Sequence, residues 1–256
     1  MAISTLNIRA LENIPLVRPG DDLAALLIDA IERLGCVLHK HDVLVVAQKI
    51  VSKAEGRYVD LATVTPSDEA LSIGAQTEKD PRFIEVILGE SRRVVRQRPN
   101  VVIVEHNLGF IMANAGIDRS NVDPGVGTEP VLLLPRNPDQ SCAVLRERIR
   151  SAIGIAPAVI INDSFGRAWR RGTAGVAIGA AGLPALTDMR GHPDLFGREL
   201  QVTQIGFADE IASAASLLMG QADEAIPAVL MQGLTWSAPD ASGADLVRPA
   251  SEDLFR

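Results

Sequence analysis

The stretch AVIINDSFGRAWRRGTAGVAIG, residues 158–179, joins a short apolar run to a dense set of polar side chains. Residues 158–161 are long enough for a buried strand and too short for a helix to be preferred. Asn162, Asp163 and Ser164 follow at once, where we expect the strand to end. This order predicts a buried strand that places oxygen-bearing side chains on the loop beyond it.

Three arginines, Arg167, Arg170 and Arg171, follow on the same predicted loop, and three glycines come after them. Guanidinium groups pair with phosphate and carboxylate oxygens in a bidentate geometry. Carboxylate and hydroxyl oxygens are the ligands that Mg²⁺ prefers. The stretch therefore indicates a metal and a phosphorylated substrate, with structural ion pairing as the alternative explanation for the arginines.

Composition and charge exclude several classes of function. The 256 residues include 32 acidic and 25 basic side chains, for a formal net charge of −7, whereas a general nucleic-acid binder needs a surplus of Lys and Arg. The hydrophobic fraction of 47% is enough for a sizeable core, in one large domain or two small ones. Cys36 and Cys142 show no zinc or disulfide spacing, and no apolar run approaches the roughly 20 residues of a membrane span. We therefore expect a soluble, cytoplasmic protein that binds neither nucleic acid nor a membrane.

Hydrophobic periodicity predicts a chain of mixed helices and strands. Apolar residues at helical spacing predict helices over residues 23–34, 69–77, 81–90 and 208–219, and another that follows 138–141 and ends near residue 153. Short apolar runs predict strands at 42–47, 101–104, 110–113, 131–135 and 226–233. The arginine-rich segment 92–98 is interpreted as a half-exposed strand rather than a nucleic-acid patch, and residues 237–256 as an irregular tail. Neither a Walker A motif nor a dinucleotide fingerprint occurs.

Two further polar clusters follow predicted strands. Lys49 and Lys53 come directly after strand 42–47, and Asp118 and Asn121 come shortly after strand 110–113. Ligands of open parallel sheets often bind beyond strand ends, which favours phosphate contacts for the lysines and a hard-metal ligand at Asp118. A solvated helix face explains the lysines equally simply, and turn chemistry explains the Asp and Asn.

Eight sequence blocks occur in an order that matches a known family. They are IPLVRPGDDL, DVLVVAQKIVSKAEGR, NAGIDRSNV, IINDSFGRAWRRG, GVAIG, DLFGREL, ADEIASAASLLMG and IPAVLMQG, between about residue 11 and residue 233. With these blocks the chain resembles the coenzyme F420-0:L-glutamate ligase family, the γ-glutamyl ligases of deazaflavin coenzyme biosynthesis.

The resemblance implies an α+β fold with mixed and antiparallel sheets, flanked by helices and unrelated to Rossmann and P-loop folds. It implies intertwined homodimers, in which residues 1–256 form a single ligase unit of two interleaved subdomains without a fused nitroreductase-like domain. The implied substrates are coenzyme F420-0 and L-glutamate. GTP is the implied co-substrate, with two divalent cations, Mg²⁺ or Mn²⁺, and K⁺ as a candidate accessory ion.

Family site residues are carried over position by position. Asp118 and Asp163 would hold the first cation, Ser164 and Gln221 the second, and Asp118, Asp163 and Lys53 would be the catalytic residues. Gln221 is a neutral amide where the family can have a carboxylate. The GTP contacts would fall on Ile14, Pro15, Leu16 and Val17, on Gln48, Lys49 and Lys53, on Asn121, and on Met219, Gly220, Gln221, Ala222, Asp223, Glu224, Ala225 and Ile226.

The implied reaction joins a carboxylate of F420-0 to the amine of glutamate. Transfer of the GTP γ-phosphoryl group would activate the carboxylate as an acyl phosphate, and further γ-glutamyl additions would repeat that step. One alternative is a metal-dependent phosphohydrolase, which would not need the lysines and the loop 219–226 together. The other is a non-catalytic nucleotide-binding protein, against which Asp118 and Asp163 argue because unpaired buried carboxylates are costly.

Overall fold

The computed structural model describes residues 5–253. Within that range the chain forms six α-helices, α1 Leu23–Leu34, α2 Gln48–Ala54, α3 Asp68–Thr77, α4 Pro81–Gly89, α5 Pro138–Ile153 and α6 Phe207–Met219. The strands are β1 Asn7–Ala10, β2 Val43–Ala47, β3 Tyr58–Asp60, β4 Ser91–Arg98, β5 Val101–His106, β6 Ile111–Ala113, β7 Pro130–Leu132, β8 Ala158–Arg167, β9 Arg170–Ala181, β10 Thr187–Asp188, β11 Gln204–Ile205 and β12 Ala228–Gln232.

A five-stranded sheet with the order β1-β12-β2-β8-β9 lies at the centre of the fold. Only β2 and β8 pair in parallel among the described strands of this sheet; its other pairs are antiparallel. Side chains of β2 alternate between two cores, with Val43 and Val45 against α6 and with Leu44 and Val46 against α1 and α5. Because helices cover both faces of the sheet, the side chains of β2 are all apolar rather than alternating with polar ones.

The remaining described strands form three smaller sheets, two of which pack around a third core. Their orders are β4-β5-β6, β3-β7 and β10-β11. Leu61, Ile84, Val104 and Val131 meet in this core, between α3, α4 and the sheets β4-β5-β6 and β3-β7. The α+β class is confirmed, and the described part of the chain has no doubly wound parallel sheet of the Rossmann type.

The predicted helices are confirmed, and their ends have the expected chemistry. Asp22 caps α1 by accepting a hydrogen bond from the Ala25 N–H, and Gly35 ends it with a left-handed φ of 67°. The arginine-rich segment is also confirmed as a half-exposed strand, β4, in which Arg92 and Arg93 both pair with Glu105. None of the helices between residues 5 and 253 is long and apolar enough to cross a lipid bilayer.

The expected strand end at Asn162 is wrong. Strand β8 continues to Arg167 and turns at Ala168 and Trp169 into β9, so Asp163, Ser164 and the arginines lie on a long hairpin rather than a loop. Burial stops near Asn162 while strand pairing continues. The change in polarity therefore marks where the hairpin leaves the core, because an antiparallel partner satisfies the backbone beyond that point.

The chain after residue 236 follows an irregular path, as expected. Residues 237–253 contain two short 3₁₀-helices, Gly243–Leu246 and Ala250–Glu252, and residues 254–256 of the predicted tail lie outside the described residues. The first 3₁₀-helix is fixed to α5, since the Asp139 carboxylate accepts from the Gly243 N–H at 2.7 Å and from the Ala244 N–H at 3.2 Å.

Candidate functional site

A cleft opens at the edge of the central sheet where β2 ends beside the middle of β8. The parallel register sets Ala47 opposite Asn162, so the first residues of α2 lie next to Asp163 and Ser164. The loop after α6 closes the other side. The cleft has a volume of about 180 Å³ and is lined by Ala47, Gln48, Lys49, Asn121, Asn162, Asp163, Ser164, Met219, Gly220, Gln221, Ala222, Glu224, Ala225, Ile226 and Pro227.

Most of the residues predicted from the sequence meet in this cleft, but not all. Asp223 belongs to the same loop without lining the cleft, and Lys53 lies one helical turn beyond Lys49 on α2. The segment 14–17 is not part of the lining; Val17 is buried in the core beside α1 and α2, and Leu16 is 85% exposed.

Asp118 reaches the same region from the smaller sheets. Its carboxylate accepts a hydrogen bond from Gln48 Nε2 at 2.7 Å and forms an ion pair with Lys49 Nζ at 3.2 Å. Asp118, Asp163 and Ser164 together line a second cavity of about 170 Å³ next to the cleft. The two predicted carboxylate ligands are therefore brought to one place from segments 45 residues apart in sequence.

A strained turn sets the position of Asp118. Asn114, Ala115 and Gly116 all have left-handed backbone conformations, with φ of 52°, 53° and 65°. Such conformations are unfavourable for residues with a Cβ atom and concentrate at functional sites. The turn reverses the chain after β6, and reciprocal backbone hydrogen bonds of 2.9 Å between Asp118 and Leu132 then hold the next segment in place.

Asp118 and Asp163 place two carboxylates in one cavity, and the Asp118 charge disfavours ionisation of Asp163. Burial and the nearby Asp118 charge raise the pKa of Asp163 to about 7, against the Ser164 N–H that donates to its Oδ1 at 2.8 Å. Burial also raises the pKa of Asp118, while Lys49 and Gln48 oppose that shift. A bound divalent cation would remove the repulsion, and these oxygen donors fit Mg²⁺ or Mn²⁺.

The possible cation ligands at this site include few of the side chains that usually bind metals. Residues 5–253 contain no group of three or more His, Cys, Asp and Glu that could hold a metal. Asp118 and Asp163 supply two carboxylates, and Ser164 and Gln221 add a hydroxyl and an amide oxygen on the neighbouring cleft wall. A triphosphate would complete such a set, because its oxygens commonly share a cation with protein carboxylates.

Lys49 and Lys53 give this side of the cleft its positive charge. Burial lowers the pKa of Lys53, the Lys49 charge lowers it further, and Asp123 and Asp118 oppose both effects. Lys49 Nζ also donates to Ser120 Oγ at 3.2 Å. Two close cations in a partly buried position favour an anionic ligand, since a bound anion would relieve their mutual repulsion.

The loop after α6 is folded onto itself and tied to the opposite wall. Asn121 Nδ2 donates to the Ala222 carbonyl oxygen at 3.0 Å, and the Ala222 N–H donates to the Glu224 carboxylate at 2.8 Å. Gly220, with a φ of 70°, lies against that carboxylate, where a Cβ atom would collide with it. The loop therefore needs glycine at its first position even though it contains few other glycines.

A large groove continues from the carboxylates along the β8–β9 hairpin. It has a volume of about 1030 Å³ and shares Met112, Ala113, Phe165 and Gly166 with the cavity that holds Asp118 and Asp163. Arg167 and Arg170 line it, together with the aromatic residues Phe110, Phe165 and Trp169 and with Arg248. Arg171 does not line the groove. These aromatic residues were not predicted from the sequence, although Phe165 and Trp169 interrupt an otherwise polar run.

The Asp163 carboxylate should make the metal-free protein less stable as pH rises. Its folded-state pKa of about 7 lies above the ordinary 3.8, so unfolding releases its proton and stability falls between about pH 4 and about pH 7. We therefore expect Asp163→Asn to gain stability relative to the unaltered protein as the pH rises through this range. The difference between their melting temperatures, both measured in EDTA, should increase.

Asp188→Asn is the control, because a hydrogen bond from Arg190 holds the pKa of Asp188 at about 2 and the residue stays ionised throughout. Its effect on the melting temperature should not vary with pH above about pH 5. A pH-independent effect of Asp163→Asn would contradict the assignment of a shifted carboxyl group.

Comparisons with known proteins agree with the resemblance in the sequence. A family model described as F420-0:Gamma-glutamyl ligase matches residues 12–233. A protein of Methanothermobacter thermautotrophicus named coenzyme F420:L-glutamate ligase is 45% identical over 258 residues, which covers 100% of both chains. Relatives of the same name from Methanopyrus kandleri and Archaeoglobus fulgidus are 45% and 42% identical, over 96% of this chain in both cases and 97% and 94% of the relatives. The resemblance is confirmed, and the chain belongs to the F420-0:gamma-glutamyl ligase family.

Proposed function

We propose that this chain is a GTP-dependent ligase that forms an amide between a carboxylate of coenzyme F420-0 and the amine of L-glutamate. The observation that carries the proposal is the position of Asp118, Asp163 and Ser164 in a cavity between the cleft and the arginine-bearing groove. The names of the relatives support the same substrates. Because the site takes residues from distant parts of the sequence, we propose that the whole chain acts as one ligase unit.

The nucleotide would occupy the cleft between α2 and the loop 219–226. Lys49 and Lys53 would neutralise the triphosphate, and Asn121 would hold the loop in place through its hydrogen bond to Ala222. Asp118 and Asp163 would hold the first divalent cation, and Ser164 and Gln221 the second. The cations, when bound, would neutralise the charge that develops on the phosphoryl oxygens. A K⁺ requirement stays a prediction from the family.

The reaction would take place in two steps. An oxygen of the F420-0 carboxylate attacks the GTP γ-phosphorus, GDP leaves, and an acyl phosphate forms. The glutamate nitrogen then attacks the acyl carbon, loses a proton, and expels inorganic phosphate. The protein contributes by holding both reactants beside Asp163 and excluding water, which would otherwise hydrolyse the acyl phosphate. Since the product again carries a free carboxylate, further γ-glutamyl additions could use the same steps.

The groove fits the acceptor better than the nucleotide. Phe110, Phe165 and Trp169 present apolar surface for a planar ring system, while Arg167 and Arg170 present positive charge for a phosphodiester. The groove leads to Asp163, so one ligand could place its ring in the groove and its carboxylate at the cations. We propose this groove as the binding site of F420-0.

The hydrolase alternative and the non-catalytic alternative are both tested by one mass-spectrometric assay. With GTP, L-glutamate, F420-0 and Mg²⁺ or Mn²⁺, we expect a product heavier by one or more glutamyl units. Asp163→Asn should abolish turnover, a loss of at least about 100-fold, because it removes a charge that holds the cation. Release of GDP without the glutamylated product would support a hydrolase instead, and full activity of Asp163→Asn would remove that residue from the cation site.

Neighbouring arginines on β9 allow a matched test of the acceptor groove. Arg170→Ala should raise the KM for F420-0 about tenfold and leave the KM for GTP unchanged, because only Arg170 of the two lines the groove. Arg171→Ala removes the same charge from the adjacent residue and should change neither constant by more than about twofold. Equal effects of the two variants on the KM for F420-0 would contradict this placement.

We also propose that the chain forms a homodimer. Leu195 and Phe196 are 99% and 95% exposed on one turn, and Trp169 at the tip of the hairpin is 88% exposed. Large apolar side chains that are fully exposed at neighbouring positions are typical of a covered interface. The family resemblance implies that a second copy of this chain covers these side chains.

Light scattering coupled to size-exclusion chromatography should give twice the mass of one chain. Replacing Leu195 and Phe196 with serine should shift the mass toward one chain, because it removes the apolar surface that association would bury. Val37→Ser, at a separate position that is 71% exposed, should leave the mass unchanged. A monomeric unaltered protein, or a double variant of unchanged mass, would contradict the proposed interface.

A further inference from the structure

Asn162 is a buried polar residue that none of the roles above uses. It lies on β8 directly before Asp163, is 6% exposed, and forms part of the cleft wall. Its side chain points toward the end of α6. A buried amide is costly unless it makes specific hydrogen bonds, so its contacts show what it does.

The Asn162 side chain connects the strand that bears Asp163 to the helix that precedes the loop 220–226. Its Nδ2 donates to Ser216 Oγ at 3.0 Å and lies 3.3 Å from Met219 Sδ. Ser216 and Met219 belong to the last turn of α6, and Gly220 begins the loop. The contact therefore links the strand that carries Asp163 and Ser164 to the helix end that precedes Gln221.

The direction of this hydrogen bond is determined by the surroundings. The Ser216 hydroxyl has one proton and donates it to the Ala212 carbonyl oxygen at 3.0 Å. It can therefore only accept from Asn162. Asn162 Oδ1 has no partner among the described residues, which leaves the amide only partly satisfied. An apolar side chain would avoid that cost, so the contact with α6 serves a purpose other than stability.

Gly175 on β9 keeps the contact rigid. A Cβ atom at this position would collide with Ser216 Oγ and would lie 2.5 Å from the Ala212 carbonyl oxygen and 2.7 Å from Asn162 Oδ1. The backbone of β9 therefore closes directly over the Asn162–Ser216 hydrogen bond. Side chains enclosed in this way have few alternative arrangements, and the end of α6 cannot shift without breaking the contact.

We propose that Asn162 is a positioning residue for nucleotide binding. By holding Ser216 and Met219, it fixes the loop that carries Gln221 at the spacing that the nucleotide and the second cation require. Asn162 acts through α6, by holding Ser216 and Met219 in the last turn of that helix. This inference rests on the proposed GTP-dependent function, and it adds a residue pair, Asn162 and Ser216, that the family resemblance does not include.

A double-mutant cycle on GTP binding tests the pair. The Kd for GTP in Mg²⁺ would be measured by calorimetry for Asn162→Ala, Ser216→Ala and the double variant. Each single variant should raise the Kd about tenfold, since each removes the hydrogen bond that sets the loop. The double variant should bind GTP no more weakly than either single variant, because both substitutions remove one shared interaction.

Ser213→Ala is the matched control. Ser213 lies one turn earlier on α6, and its hydroxyl donates to the Gly175 carbonyl oxygen at 2.7 Å, without contact to Asn162 or the loop. It should lower the melting temperature about as much as Ser216→Ala does, while its Kd for GTP stays within about twofold of the unaltered value. Combined with Asn162→Ala, its effect on binding should be additive.

The outcomes separate this inference from the proposed function. If the unaltered protein binds GTP and Ser216→Ala binds it as Ser213→Ala does, the positioning role is overturned and the function stands. Additive effects of Asn162→Ala and Ser216→Ala would overturn it too. If the unaltered protein binds no GTP in Mg²⁺, the proposed function and this inference both fall. Ser216→Ala removes only one hydroxyl, so it keeps the test valid where Asn162→Ala does not fold.

Discussion

The parallel pairing of β2 with β8 is the constraint on which the rest of the site depends. Its register, from Val43 opposite Ala158 to Ala47 opposite Asn162, places the end of β2 beside the point where β8 leaves the core. The start of α2 and the polar half of β8 must then lie together. The paired segments of both strands lie between two layers of helices, so a shift of one residue would exchange the side chains between the two cores. The core therefore determines the geometry of the cleft.

Charge balance is the second organising feature of the site. Asp118 and Asp163 lie in one cavity; burial raises the pKa of both, and the Asp118 charge raises the pKa of Asp163 further. Lys49 forms an ion pair with Asp118 and offsets part of this negative charge. The Lys49 charge also lowers the pKa of Lys53, so the surface beside the carboxylates is suited to an anion. A protein selected only for stability would avoid such unbalanced pairs, because each partly buried charge needs compensation. A bound cation would compensate the charge of the two carboxylates, and a bound triphosphate would compensate the charge of the two lysines.

The β8–β9 hairpin links the two halves of the proposed chemistry. Its buried half belongs to the central sheet, and its exposed half carries the aromatic residues and arginines of the groove. Asp163 and Ser164 lie at the boundary between them. One continuous pair of strands can thus hold the acceptor at a fixed distance from the cation ligands, since side chains on strands are positioned more precisely than side chains on loops. Asn162 extends this relation to α6 and to the loop after it.

Local sequence determined the helices, their caps, most strand positions and the family, because periodicity, capping residues and ordered motifs are properties of neighbouring residues. It also identified most of the residues that line the cleft, through the resemblance. Only the tertiary structure decided that β8 continues past Asn162, that Arg170 lines the groove while Arg171 does not, and that the segment 14–17 does not line the cleft. These features depend on strand pairing and on contacts between distant segments. The pairing of Asn162 with Ser216 is of the same kind, since 54 residues separate two side chains that meet only after α6 packs on the sheet.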